Sequence, residues 1–94
     1  MPYLVTTLNN EKTPGRCVGM FLTLGEAQSI VEQNTCDIHE NSYDFVVVED
    51  VAFGLYPAIL SEYWYHWEQK NGVEQYVQCE KPGHLSHITN FSIG

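Results

Sequence analysis

Basic residues are scarce in this chain. Four Lys and Arg stand against twelve Asp and Glu in 94 residues, a net charge of −8. None of the four lies between Cys17 and Gln69, a stretch that holds nine acids. A phosphate-binding surface needs a basic stripe to displace counterions, so direct nucleic-acid binding is not expected. Long apolar runs are missing as well. No stretch approaches the ~18 apolar residues of a membrane helix. Met1–Val5 has no charged stretch ahead of an apolar run, so no secretion leader is expected. Cysteine is limited to Cys17, Cys36 and Cys79, an odd number. Free, mostly buried thiols in a reducing cytoplasm are the expectation.

Catalytic signatures are absent too. There is no Ser elbow, no glycine-rich phosphate loop and no dinucleotide fingerprint. A reactive Cys needs a neighbouring imidazole or cation, and only Cys17 has a base beside it, Arg16. Glu49 and Asp50 are adjacent, so on a strand they point to opposite faces and read as solvated strand-end charges. Cys36-x-x-His39 and His84-x-x-His87 have a gap that suits two zinc ligands. They lack the turn-forming Gly of zinc knuckles. The expectation is a non-enzymatic protein with no cofactor and no metal, with a zinc-stabilised module as the competing view of those pairs.

What is present is enough apolar residue for a core, 44%, and many aromatics, 13%. The length allows one domain, 1–94. Pro2–Leu8 reads as a strand, and Cys17–Phe21 as a second, hairpinned to it. Thr23-Leu24-Gly25-Glu26 is a capping box. Leu24, Ala27, Ile30 and Val31 then fall on one face, predicting a helix over Thr23–Asn34 that stops on a left-handed Asn34. Tyr43–Val51 carries the uninterrupted apolar run Phe45–Val48 and reads as a central strand covered on both faces. Asn71-Gly72 marks a two-residue hairpin between Glu62–Gln69 and Glu74–Cys79. That turn pairs Lys70 with Val73, Trp67 with Tyr76, His66 with Val77 and Trp64 with Cys79. Leu85–Ile93 is a further candidate edge strand. The fold class is α+β, a mostly antiparallel sheet of five to six strands with one main helix on one face.

From Arg16 onward the chain resembles a family of small proteins from bacteria, their phages and prophages. The strings that carry the resemblance are Arg16-Cys17-Val18-Gly19, Glu26-Ala27, Cys36-Asp37-Ile38 with Glu40 and Tyr43, and Val47-Val48-Glu49. They continue through Gly54-Leu55-Tyr56-Pro57, Trp64-Tyr65-His66-Trp67, Cys79-Glu80-Lys81-Pro82 and Asn90-Phe91-Ser92-Ile93-Gly94. The resemblance implies a compact domain of bacterial or phage origin and brings no activity, cofactor or catalytic residue.

Two features point to a function. The acid-only stretch generates a negative field that steers basic partners. On the hairpin, Tyr63, Tyr65, Trp67 and Tyr76 share one face, and Trp64 and His66 the other. With one helix, only one face is covered, so large aromatics should be exposed as a contact surface. The expected function is binding a basic site on another protein, as a phage or mobile-element inhibitor in the bacterial cytoplasm. The expected contacts are Asp37, Glu40, Asp44, Glu49, Asp50, Tyr63, Tyr65, Trp67 and Tyr76. The rival expectation is a small-ligand module in which Trp64, Trp67, Tyr56 and a His stack on a base or ring.

Overall fold

The Asn71-Gly72 turn sets the geometry of the longest hairpin. Both residues have positive φ, 52° and 78°, the pair that a type I′ turn demands. In the computed structural model, which describes residues 2–9, 16–39, 43–54, 58–85 and 91, the turn joins β4 (Ile59–Lys70) to β5 (Val73–Cys79). Trp67 lies opposite Tyr76, and Trp64 opposite Cys79, in the register that the turn dictates. Ahead of them come β1 (Tyr3–Leu8), β2 (Arg16–Phe21), α1 (Leu24–Glu32) and β3 (Phe45–Val51). The five strands form one antiparallel sheet in the order β2-β1-β3-β4-β5. The apolar run of β3 therefore occupies its centre. A bulge between Val5 and Thr6 breaks the β1–β2 register.

α1 starts and stops by local chemistry. The Thr23 hydroxyl accepts the Glu26 N–H at 3.2 Å and donates to the Glu26 carboxylate at 3.1 Å. Glu26 thus closes its side of the cap on the hydroxyl instead of on the Thr23 N–H. At the other end Asn34 turns left-handed, φ 48°. Its N–H meets the Val31 carbonyl, and the Thr35 N–H meets that of Ile30, both at 3.1 Å. That pair of bonds is a Schellman stop. The helix ends two residues earlier than the sequence spacing predicts.

Both faces of the sheet are covered. On the helix side Ala27 and Val31 of α1 meet Val5, Val48, Tyr65 and Tyr76, with Tyr63 and Trp67 packed around them. Tyr65 is wholly buried and Tyr76 nearly so. The Tyr63/Tyr65/Trp67/Tyr76 face is therefore the protein's own core, which corrects its assignment as a contact surface. The small residues of α1 leave room for large rings beneath it. The opposite face is not open either. Trp64 is buried with Leu8, Val47 and Leu85, and Phe45 and Phe91 pack against them. The second cover is the C-terminal segment, a 3-10 turn at Gly83–Leu85 followed by Phe91. The predicted strand at Leu85–Ile93 lies outside the described residues except at Leu85 and Phe91.

Candidate binding groove

The acids separate into structural and surface groups. Glu49 is fully buried on the face opposite the helix. Its Oε2 accepts the Phe91 N–H at 3.0 Å. Glu62, its cross-strand neighbour, accepts the Trp64 indole N–H at 3.0 Å and pairs with Lys81 at 3.2 Å. Lys81 in turn stands 5.4 Å above the Phe91 ring. Glu49 thus holds the C-terminal segment and is not a partner contact, a second correction to the expected site. A carboxylate can be buried here because a backbone donor and nearby charges replace its water. Asp50 is half-buried on the other face, with one carboxylate oxygen buried and without a hydrogen-bond partner. Glu40 lies outside the described residues.

Glu32 lies on α1, Asp37 in the turn that follows it, and Asp44 just ahead of β3. Burial raises the Tyr76 hydroxyl well above its ordinary range, and the negative charges of Asp44 and then Asp37 raise it further. Burial also raises Tyr65, with Glu32 as the second cause. Glu32 therefore acts at Tyr65, and Asp37 and Asp44 at the Tyr76 end of the helix-covered face.

At that end His39 lies flat on Trp67, with ring centroids 3.7 Å apart and planes within 6°. Its N–H donates to the Asn34 side chain at 2.9 Å. Its Nδ1 faces the Tyr43 carbonyl at 3.0 Å, which places the proton on Nδ1. The Tyr76 hydroxyl donates to the same carbonyl at 2.8 Å. His39 is thus committed to packing, and Cys36 is exposed rather than paired with it. Among the described residues no three His, Cys, Asp or Glu side chains are placed to hold a metal ion. One face of Trp67 is occupied by His39, so a stacking ligand would have to displace it there. Tyr56, the other expected stacking partner, lies outside the described residues.

The open feature is a groove of about 380 Å³ between β2 and the turn after α1. Its apolar lining is Val5, Val18, Phe21, Ile30 and Ile38, and Arg16 is the base that lines it. Exposed Asp37 lines it, as do the free thiols of Cys17 and Cys36. The turn is held in an uncommon conformation, with Asn34, Cys36 and Asp37 all left-handed. A second hollow shares Phe21 and Ile30 and runs on to Gly25, Glu26 and Ser29. The two hollows adjoin at Phe21 and Ile30 as a trough, with Asp37 lining the first and Glu26 the second. Only Asp37 of the predicted contacts lines it. The hairpin aromatics drew attention in the sequence, whereas the groove depends on β1 pairing with β3 and leaving β2 outermost, which no local pattern encodes.

No family model, no curated protein and no solved structure matches this chain. The resemblance to small bacterial and phage proteins rests on the quoted strings alone, two of which, Arg16–Gly19 and Cys36–Ile38, line the groove.

Proposed function

We propose that this protein is a non-enzymatic interaction module whose acidic surface engages a basic site on another protein. The observation that carries the reading is an open apolar groove lined by exposed Asp37, with Arg16 at its border, in a chain whose residues 17–69 hold nine acids and no Lys or Arg. Such a surface attracts a basic partner over the Debye length, about 8 Å at physiological salt, and the groove supplies the apolar contact that holds it. The resemblance to phage proteins supplies the setting, an accessory or inhibitory factor acting on a host protein in the bacterial cytoplasm. Carboxylates can stand in for phosphates in front of Lys and Arg.

The test is association kinetics with a purified basic protein captured from a bacterial host. Reversal of Glu32, Asp37 and Asp44 to Lys should slow association about tenfold at low salt and little at high salt. Unchanged association at low salt overturns the reading. A second reading, a small-ligand site, is favoured by the groove volume, which falls in the range of about 300–1,000 Å³ usual for such sites. The acidic surroundings make an anionic ligand unsuitable for it.

A further inference from the structure

β2 is an outer edge of the sheet, and its protection is limited to the bulge at Val18 and the charge of Arg16. Among the described residues no strand pairs with its outer side. Within Arg16–Phe21 only Arg16 is charged, and Val18 and Met20 are exposed, Met20 by 68%. Natural edges are commonly blunted by charges or proline, because unpaired N–H and C=O groups accept a further strand. The other edge, β5, also carries one charge, Glu74, and exposes Val73, Gln75 and Gln78. Of the two edges, β2 is the one that lines the groove.

We infer that β2 takes up an extended segment of the basic partner as a sixth strand. This rests on the reading above and names what that partner presents: apolar residues at alternate positions, with a Lys or Arg at each end. Side chains of an added strand alternate between faces. One set would enter the trough between Val18, Phe21, Ile30 and Ile38. β2 is six residues long, about 20 Å of strand, so a segment of that length pairs along the whole edge. Glu26 and Asp37 then meet its two ends. Arg16, near the Asp37 end, is already partnered. A second copy of this chain is a poor occupant. It would bring −8 against −8 and offers no base between residues 17 and 69. Strand addition suits an edge of this kind because backbone bonds give affinity and the alternate pockets give selectivity.

The test uses the full chain and three capped peptides. The first is Lys-Thr-Val-Thr-Val-Thr-Lys, which places valines and both lysines on one face. The second replaces both lysines by glutamate. The third replaces each threonine by proline, which keeps charge and valines but removes ladder donors. Titration is followed by NMR of the backbone amides together with their hydrogen exchange. The first peptide should bind, shift and protect the amides of Cys17–Phe21, and leave Val73–Cys79 unmoved. The other two should fail at about millimolar concentration. Asp37→Lys should weaken the first peptide about threefold and remain folded by its amide spectrum.

Equal binding of the lysine and proline peptides, or shifts confined to α1 and the acids, removes strand addition while the acidic reading stands. Binding of the glutamate peptide as well as the lysine peptide, with β2 protected, removes the acidic reading and leaves an edge that is indifferent to charge. Failure of the lysine peptide to bind overturns the inference. Protection of Cys17–Phe21 in the unliganded chain with dimeric sedimentation makes the occupant a second copy, and overturns it too.

Discussion

Cys36 is held at φ 56° with its side chain exposed. A left-handed residue with a Cβ costs roughly 1–2 kcal/mol, and glycine avoids this at an entropic cost of roughly 0.5–1 kcal/mol. Cys36→Gly should therefore stabilise the protein by up to about 1 kcal/mol, seen as a higher denaturant midpoint. Asp37→Gly, at φ 55°, should gain less, because Asp tolerates this region better. The three thiols should also separate by reactivity. Cys17 and Cys36 are exposed, while burial and then the Glu80 charge raise the Cys79 thiol. Timed alkylation of the native protein, read by mass spectrometry, should label Cys17 and Cys36 first and Cys79 last. If Cys79 reacts as fast as the others, its cover by the C-terminal segment is not maintained in solution.

At the scale of elements, α1 depends on one hydroxyl that both accepts and donates. Thr23→Ala should cost about 1 kcal/mol, a fall of roughly 4–8 °C in melting temperature for a domain of this size. This helix was legible because its start and stop signals are local, Thr23 with Glu26 and Asn34 with its two bonds. The β4–β5 register was legible for the same reason, since Asn71-Gly72 fixes it. What covers each face was not legible. The second face is closed by Phe91, 42 residues beyond the Glu49 that anchors it, and no periodicity encodes such a contact. Hence Glu49 read as a solvated strand-end charge, and the aromatic hairpin read as half exposed. Phe91→Ala tests the cover directly. Trp64 meets the Phe91 ring edge-on at 5.0 Å. In a Trp67→Phe background the remaining indole emission should shift to the red when Phe91 is lost, while the helix signal in circular dichroism persists. Emission that stays blue would mean that Leu85 and Phe45 cover Trp64 alone.

At the scale of the whole molecule, two buried tyrosines set how the fold responds to alkali. Both hydroxyls titrate above their ordinary value of 10.0 in the folded state, because burial first and nearby carboxylates second oppose the phenolate. In the unfolded chain they titrate near 10. Between those limits the unfolded state binds fewer protons, so stability falls as pH rises. Below about pH 10 both states hold the protons and these groups add no pH dependence. Stability to urea should therefore be insensitive to Tyr65 and Tyr76 ionisation up to about pH 9 and decline from about pH 10. The tyrosinate absorbance of Tyr65 and Tyr76 should appear only with unfolding. The two tyrosines differ in what their hydroxyls do. Tyr76 donates to the Tyr43 carbonyl, so Tyr76→Phe should cost about 1 kcal/mol at neutral pH while softening the alkaline decline. The Tyr65 hydroxyl is buried and makes no well-formed hydrogen bond among the described residues, Gln28 lying near it. Tyr65→Phe should therefore be close to neutral at pH 7 and also soften the alkaline loss. If both variants keep the full alkaline slope, groups other than these two control it.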